Sequence, residues 1–347
     1  MKRVIKVRNT FIGGDYPVTI QSMTNTLTRD AAATINQINE LALHGCQIIR
    51  VSVPDIESAE ALPSIISNTT IPLVADIHYD YKLAIKSAEN GADKIRINPG
   101  NIGSMDNVRY LAAFLSERKI PIRIGVNSGS IPKDIYSKYG SSGEALYHSA
   151  MSHVRILEEC NFNDIVISVK SSNVKDTITA YRLLDKACDY PLHIGVTEAG
   201  VDETGIVKSC VGIGILLNEG IGNTLRVSLS GNPVKEVIIA KKILQSLDLC
   251  DNMPEIISCP TCARTMINVE AIAREVEKRL SNVNQDIKVA IMGCVVNGPG
   301  EAREADIGIA GGKDKSAIFM EGKIIATVAN ENIMEELMKR IDEIING

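Results

Sequence analysis

Hydrophobic and polar positions alternate along the chain in a unit that repeats from the N-terminus to about residue 247. Each unit is a short β-branched run, a polar turn and a stretch with helical spacing, which predicts a strand followed by a helix. There are eight such runs: VTIQSMT, IIRVSV, PLVADIH, DKIRINPG, IPIRIGVNSG, DIVISVKSS, PLHIGVTEAG and TLRVSLSG. Eight regular units predict a closed (β/α)₈ TIM barrel. An open doubly wound sheet is the alternative, but it seldom has eight regular units in a row.

The repeat ends after the segment LDLCDNMPE, and the pattern beyond it is different. Three runs have the character of strands: EIIS, IKVAIMG and ADIGIAG. They are followed by a hairpin pattern, SAIFMEGKIIATV, and by a helical pattern, ENIMEELMKRIDEII. This order predicts a small α+β fold. We therefore predict two domains, a barrel over residues 1–250 and an α+β domain over residues 251–347.

In six of the predicted barrel strands, one set of alternate positions is polar. Successive side chains of a strand point to opposite faces, and the apolar set must face the surrounding helices. The polar set is therefore expected inside the barrel, where most TIM barrels have Val, Ile and Leu. This face includes Arg50, Asp76, His78, Arg96, Arg123, Asn127, Lys170, Arg226 and Ser228.

Five of these side chains are cations, which would repel one another inside one barrel unless something neutralises them. A single strand arginine is more simply explained by a carboxylate partner. Here, however, only Asp76 and Glu198, in the segment VTEAG, are available nearby. Since the planar guanidinium matches phosphate oxygens, the five cations predict a site for a small diphosphate at the barrel mouth. Glu198 is either an acid–base group or a counter-charge to the arginines, and His78 is either a ligand contact or a structural histidine.

The composition excludes several classes of protein. The 347 residues carry a net charge of −5 and are 4% aromatic with no Trp, which argues against a nucleic-acid partner. The segment MKRVIKVRNTFIGGDYP lacks the apolar core of a secretory signal. Apolar runs such as VGIGILL are far shorter than the ~20 residues of a membrane span. A soluble, cytoplasmic protein is expected, in which the eight cysteines are thiols or metal ligands.

Three of the cysteines form a candidate metal site in the second domain. Cys259 and Cys262 have the C-x-x-C spacing in SCPTCART, and Cys294 lies in MGCVVNGPGE. A C-x-x-C pair suits a metal, a cluster or a redox pair, but this one lies far from the N-terminal βαβ position of a thioredoxin-like motif. The other cysteines are expected to be small buried hydrophobes: Cys46, Cys160, Cys188, Cys210 and Cys250.

Three thiolates leave one position of a four-ligand site open or held by another donor. Glu301 is the candidate, because it ends the turn NGPGE whose glycines allow close approach of the backbone to a bulky group. A carboxylate is a harder ligand than a thiolate and leaves iron more readily. Such a ligand suits a cluster that binds substrate.

These motifs resemble those of the 4-hydroxy-3-methylbut-2-enyl diphosphate synthases, iron–sulfur enzymes of the methylerythritol phosphate route to isoprenoids. The resemblance covers nearly the whole chain, through QSMTNT, NPGN, GVNSGS, GVTEAG, SLSGNP, SCPTC and MGCVVNGPGE. It implies a TIM barrel followed by a small iron–sulfur domain, as in the short bacterial form of the family.

The resemblance also implies roles for individual residues. A four-iron four-sulfur cluster would be bound by Cys259, Cys262, Cys294 and Glu301, with Glu198 near the substrate hydroxyl. The diphosphate would be held by Arg50, Arg96, Arg123, Asn127, Lys170, Arg226 and Ser228. The implied substrate is 2-C-methyl-D-erythritol 2,4-cyclodiphosphate, reduced with two electrons from ferredoxin or flavodoxin. Family members are homodimers in which the cluster domain of one subunit caps the barrel of the other.

Two other classes of protein compete with this interpretation. One is a non-redox barrel enzyme for a phosphorylated sugar with a structural zinc domain, against which the set of three cysteines and a glutamate argues. The other is a cluster-bearing sensor without catalysis, against which the cationic barrel interior argues.

Overall fold

The structure is a computed structural model and describes residues 1–98, 101–281, 283–295 and 303–346. The chain divides into two compact units, Met1–Leu249 and Cys250–Gly347. The first unit contains an eight-stranded sheet, and the second contains a five-stranded sheet. The predicted fold class, a TIM barrel followed by a small α+β fold, is confirmed.

The chain begins with an antiparallel hairpin that the sequence analysis missed. Its strands are β1 (Ile5–Val7) and β2 (Thr10–Ile12), and Arg8 in the turn has a positive φ of 55°. Three-residue strands are too short for alternation to be recognised. The apolar side chains of the hairpin pack with barrel residues near the N-terminal ends of three strands, in a cluster of Ile5, Val7, Ile12, Ile48, Val74 and Val166.

Eight parallel strands form the barrel. They are β3 (Thr19–Met23), β4 (Ile48–Ser52), β5 (Leu73–Asp76), β6 (Lys94–Ile97), β7 (Ile122–Asn127), β8 (Ile165–Lys170), β9 (His193–Ile194) and β10 (Thr224–Leu225). Strands β3 to β8 pair in chain order, and β10 pairs with both β3 and β9. A parallel bridge between Ile167 and Leu192 joins β8 to the residue before β9. The ring is therefore closed, which excludes the open sheet. The last two strands are shorter than predicted, so Arg226 and Ser228 follow β10.

Helices connect the barrel strands. They are α1 (Ala31–Leu43), α2 (Ile56–Ser67), α3 (Tyr81–Glu89), α4 (Met105–Glu117), α5 (Lys133–Tyr139), α6 (Gly143–Glu159), α7 (Val174–Ala187), α8 (Asp202–Asn218) and α9 (Pro233–Gln245). Two of these helices have clear caps: Gly45 follows α1 with φ of 104°, and the Asn232 side chain accepts from Val234 N–H with Pro233 in the first turn of α9. One unit departs from the repeat, since β7 is followed by a 3₁₀ turn and two helices.

The barrel interior contains a buried lysine that the sequence analysis missed. Lys94 lies in β6 two residues before Arg96, so both side chains share the inner face. Lys94 is fully buried, and its Nζ has no hydrogen-bond partner among the residues the structure describes. Burial, and then the nearby Arg123, hold the pKa of Lys94 well below its ordinary value. His193 in β9 is also fully buried, and burial lowers its pKa as well.

Lys94→Met is expected to raise the free energy of unfolding of the ligand-free protein by about 1–3 kcal/mol, because an unpaired buried amine is replaced by an apolar group. The pKa of Lys94 is lower in the folded state than in the unfolded chain, so the unfolded chain binds more protons. The free-energy cost of burying the amine therefore grows as pH falls below the pKa of Lys94 in the unfolded chain. The gain should therefore be larger at about pH 7 than at about pH 10. Urea unfolding at both pH values measures it.

The exposed Lys186 in α7 provides the matched control for this measurement. Lys186→Met should change the free energy of unfolding by less than about 0.5 kcal/mol. A Lys94→Met variant that is less stable than the parent at both pH values would mean that the amine has a favourable partner.

Over its described residues, the second unit consists of a five-stranded mixed sheet and two α-helices. The strands are β11 (Glu255–Ser258), β12 (Lys288–Met292), β13 (Ile307–Ala310), β14 (Lys315–Met320) and β15 (Lys323–Ala329), and the helices are α10 (Val269–Leu280) and α11 (Ile333–Asn346). Strands β11 to β13 are parallel, and β13 to β15 are antiparallel. Both helices contribute buried apolar residues to the main core of this unit, including Val276, Leu280, Leu337 and Ile341.

Candidate functional site

The carboxyl ends of the barrel strands surround a cavity of about 260 Å³. All nine polar side chains that the sequence places on the inner face of the barrel line it: Arg50, Asp76, His78, Arg96, Arg123, Asn127, Lys170, Arg226 and Ser228. Met23, Gly125, Ser168 and Thr197 complete the lining. The structure therefore brings the predicted residues together, and their contact with a ligand stays a prediction.

Asp76 at the end of β5 is the counter-ion of two of the arginines. Arg96 Nη1 donates to Asp76 Oδ1 at 3.0 Å, and Arg50 Nε lies 3.6 Å from Asp76 Oδ2. Burial favours the neutral acid, but Arg50, Arg96 and Arg123 outweigh it and lower the pKa of Asp76 to about 2. Asp76 is therefore ionised at neutral pH and fixes these two arginines in the wall of the cavity.

Gly125 in β7 makes room for Arg96. A Cβ at Gly125 would lie 2.3 Å from Arg96 Nε, a contact that the buried guanidinium could not relieve without moving. Arg96 also donates from Nη2 to the Gly125 carbonyl oxygen at 3.2 Å. The absence of a side chain at Gly125 therefore sets the position of one cation of the site.

Three other cations keep unused hydrogen-bonding capacity. Arg123 is 1% exposed, and neither its Nε nor its Nη1 has a hydrogen-bond partner in the described part of the chain. The same holds for Lys170 Nζ and Arg226 Nε. Burial is the main cause that holds the pKa of Lys170 well below its ordinary value, followed by Arg226, Arg50 and Arg123. Unpaired donors at this depth are costly unless a ligand or water satisfies them.

Glu236 is a carboxylate of the site that the sequence analysis missed. It lies in the first turn of α9, is 5% exposed, and its Oε2 is 3.6 Å from Arg226 Nη2. It was missed because interior residues were predicted only from alternation along the strands, and Glu236 lies in a helical pattern. With Lys94 and Glu236 included, six cations face two carboxylates in this part of the barrel, so the excess of positive charge that motivated the diphosphate prediction remains.

Glu198 and His78 lie at the margin of this arrangement. Glu198 follows β9 with an exposed side chain and a positive φ of 51°, and it does not line the cavity. It has no ion pair with an arginine among the described residues, so the structure gives no support to a counter-charge role. His78 lines the cavity with a side chain that is 55% exposed, and its Nε2 lies 3.8 Å from Asp76 Oδ2.

The cysteines of the second unit lie at and beyond the ends of two paired strands. Strands β11 and β12 pair in parallel from Glu255 with Lys288 to Ser258 with Ile291, so Cys259 and Cys294 both follow this ladder closely. Cys259 Sγ accepts a hydrogen bond from Gly293 N–H at 3.0 Å. Cys262 lies in the exposed turn before α10, where its N–H donates to Thr265 Oγ1 at 3.0 Å.

The thiol of Cys262 is prepared for ionisation. The pKa of Cys262 lies below its ordinary value, first because the backbone N–H of Arg264 hydrogen-bonds the sulfur, and also through the side chains of Arg264 and Thr265. Within the described residues, no three His, Cys, Asp or Glu side chains form a group that could hold a metal ion. Glu301, the predicted fourth ligand, lies outside the described residues.

The remaining cysteines are less buried than predicted. Only Cys46 is fully buried, whereas Cys160, Cys188, Cys210 and Cys250 are partly exposed. Cys160 and Cys188 directly follow α6 and α7, whereas Cys210 lies within α8.

Comparison with known families identifies the family to which both units belong. Residues 2–241 match the family described as the GcpE TIM-barrel domain, and residues 255–343 match the GcpE protein C-terminal domain. The chain belongs to the GcpE family. The resemblance inferred from the motifs is thereby confirmed, and both units of this GcpE protein are accounted for.

Relatives with assigned names cover the GcpE chain almost completely. The 4-hydroxy-3-methylbut-2-en-1-yl diphosphate synthase (flavodoxin) of Clostridium acetobutylicum is 57% identical over 341 residues, 98% of either chain. The protein of the same name from Ruminiclostridium cellulolyticum is 56% identical over 340 residues, 98% of this chain and 96% of its own.

Solved structures of other families share the barrel of this GcpE protein. The N-acetylneuraminic acid (sialic acid) synthetase of Leptospira borgpetersenii, in complex with citrate, aligns with a TM-score of 0.52 at 12% identity. The match covers 80% of this chain and 97% of the synthetase, and it supports the fold alone. Among the described residues, no helix is both long and apolar enough to cross a membrane.

Proposed function

We propose that the chain is a 4-hydroxy-3-methylbut-2-en-1-yl diphosphate synthase. Its substrate is 2-C-methyl-D-erythritol 2,4-cyclodiphosphate, which takes up two electrons, opens its ring and loses water to give the allylic diphosphate. The observation that carries the proposal is the excess of buried cations around one cavity, in a chain whose close relatives bear this name. A diphosphate is the kind of ligand that balances such a cavity.

The cations of the cavity have different roles in binding the diphosphate. Arg50 and Arg96 are held by Asp76 and give the cavity a fixed positive wall. Arg123 and Lys170 have donor atoms without hydrogen-bond partners among the described residues, so they can donate to phosphate oxygens. In such a buried site charge-assisted hydrogen bonds are short and strong, and they hold the substrate in one orientation. Asn127, Arg226 and Ser228 add donors at the rim.

For the second unit we propose a four-iron four-sulfur cluster bound by Cys259, Cys262, Cys294 and Glu301. The donor set suits it, since such clusters are bound mainly by thiolates. Two further features support the fit: the N–H of Gly293 donates to Cys259 Sγ, and the pKa of Cys262 is lowered. Glu301 enters from the family resemblance. When bound, the cluster supplies electrons one at a time and a Lewis-acidic iron that assists loss of a hydroxyl.

We propose Glu198 as the group that donates a proton to the departing hydroxyl, because it follows β9 at the end of the barrel where the cavity opens. Glu198→Gln should lower kcat by about 10²-fold or more, since the amide has no proton to transfer. The dissociation constant of the substrate and the iron content should stay near those of the parent. Full turnover by this variant with an intact cluster would remove Glu198 from the mechanism.

Substrate binding at about pH 8 is expected to take up protons, chiefly on Lys170. Burial and neighbouring cations hold the pKa of Lys170 low in the free protein, and a bound diphosphate would raise it. Affinity should therefore fall as pH rises between the free and bound pKa values. Calorimetry in two buffers with different ionisation enthalpies measures the uptake. Lys170→Met should abolish most of it, and proton release on binding would contradict the assignment.

Anaerobic purification followed by turnover tests the proposed function. The protein should be brown, contain about four irons per chain, and convert the cyclic diphosphate when reduced by flavodoxin or a reducing dye. A colourless protein with one zinc per chain would indicate the non-redox alternative. A brown protein that fails to convert the cyclic diphosphate would indicate a cluster-bearing sensor.

We also propose that flavodoxin is the electron donor, with ferredoxin as the other candidate. The second proposal is that the protein is a homodimer, and we place it in the cytoplasm. The names of the relatives, which include flavodoxin, support the first of these. The family resemblance supports the second. Reduction of the cluster by each donor and sedimentation of the intact holoprotein test them separately.

A further inference from the structure

Glu236 connects three parts of the barrel around the cavity. Its Oε1 accepts a hydrogen bond from Leu229 N–H at 2.8 Å, and its Oε2 accepts one from Ser22 Oγ–H at 3.4 Å. The same Oε2 lies 3.6 Å from Arg226 Nη2. A single buried carboxylate in α9 therefore contacts β3 and the segment that follows β10. It does not line the cavity itself.

Arg226 is the neighbour of Glu236 that does line the cavity. Its side chain is 17% exposed, and its Nε has no hydrogen-bond partner in the described part of the chain. An arginine side chain loses much of its conformational entropy when it is fixed in one rotamer. The ion pair between Arg226 Nη2 and Glu236 Oε2 restricts the side chain before a ligand binds, so less entropy is lost on binding. Other donors of the guanidinium remain available to a ligand.

We propose that Glu236 is a positioning residue for diphosphate binding, which holds the Arg226 guanidinium in the orientation that its phosphate contact requires. The inference deepens the proposed function and rests on it, since the ligand is the cyclic diphosphate. Glu236 acts through Arg226, and its link to Leu229 N–H keeps the segment that carries Arg226 and Ser228 against the start of α9.

A simple counter-charge role makes opposite predictions. If Glu236 only reduced the positive charge, Glu236→Gln would make the cavity more positive and the dianion would bind more tightly. As a positioning residue, Glu236 should give the reverse, with binding about tenfold weaker in Glu236→Gln. Glu236→Asp keeps the charge but shortens the side chain by one methylene. It should also bind more weakly if position matters, and like the parent if only charge matters.

The test is a double-mutant cycle on the holoprotein with the cyclic diphosphate as ligand. Dissociation constants are measured by calorimetry for the parent, Glu236→Gln, Glu236→Asp, Arg226→Met and the two double variants. Each Glu236 variant should bind about tenfold more weakly than the parent, and this loss should disappear when Arg226 is already methionine. Unchanged or tighter binding in both variants, or losses that add to that of Arg226→Met, would overturn the proposal.

The controls separate this inference from the proposed function. If the parent protein does not bind the cyclic diphosphate, the proposed function fails, whatever the Glu236 variants do. If the parent binds it and both Glu236 variants bind equally well, only the role of Glu236 fails. Glu236→Asp provides a second arm should Glu236→Gln fold poorly, and a structural role alone would lower the melting temperature without any coupling to Arg226.

Discussion

Replacing Cys294 with alanine is expected to leave the purified protein nearly colourless and without measurable turnover of the cyclic diphosphate. Cys294 follows β12 and is one of three thiols proposed to bind the cluster. Iron–sulfur clusters usually need four protein ligands, so loss of one of the three thiolates should prevent stable binding. Iron and sulfide analysis after anaerobic reconstitution should give far less than the about four irons expected for the parent.

A barrel cysteine provides the matched control. Cys160 is partly exposed at the end of α6, and Cys160→Ser should keep the colour, the iron content and the turnover of the parent. Circular dichroism should show both variants folded. Parental iron and sulfide content in Cys294→Ala would show that Cys294 is not a ligand and would refute the proposed site.

Arg123→Met is expected to weaken binding of the cyclic diphosphate by about 10²–10³-fold. The guanidinium is almost fully buried and has two nitrogens without partners among the described residues, so its main role is to meet a ligand. Its removal should also make the ligand-free protein more stable, because a buried unpaired cation is replaced by an apolar side chain. Calorimetry gives the affinity, and thermal unfolding without ligand gives the stability.

The two readouts together exclude simple unfolding as the cause. Arg155 is an exposed arginine of α6, and Arg155→Met should change neither the affinity nor the melting temperature appreciably. If Arg123→Met bound the cyclic diphosphate like the parent, the buried guanidinium would have a structural role that the cavity geometry does not reveal.

Most of the barrel could be predicted because its signal is local. Alternation of side chains along each strand placed Arg50, Arg96 and Arg123 on one face, and strand order followed from the repeat. All nine residues predicted for the inner face line one cavity for this reason. Their roles toward a ligand are still predictions, because a cavity shows proximity and not binding.

Glu236 and Lys94 escaped prediction for different physical reasons. Glu236 reaches the strands from a helix, where the 3.6-residue period does not distinguish a side chain near the cavity from one in the packing layer. Lys94 lies on the inner face at the alternate position to Arg96, but it follows a turn, where a lysine is usually exposed. Long-range contacts decide both cases, and a single sequence does not contain them.

In the second unit, the strands, the hairpin and the last helix followed from hydrophobic periodicity. The grouping of its thiols depends on loop conformations, which periodicity does not specify. Cys259 and Cys294 come near each other because β11 and β12 pair in parallel, although 34 residues separate Cys259 from the Gly293 N–H that binds its sulfur.

The hairpin of β1 and β2 bears on where substrate and product enter and leave the barrel. Its apolar side chains pack with Ile48, Val74 and Val166 at the end of the barrel opposite the cavity. Within the part of the chain that the structure describes, we therefore expect substrate and product to enter and leave through the mouth of the cavity. A new substrate molecule can enter only after the previous product has left. Product should therefore be a competitive inhibitor with respect to substrate. If the product diphosphate binds tightly, its slow dissociation would limit turnover.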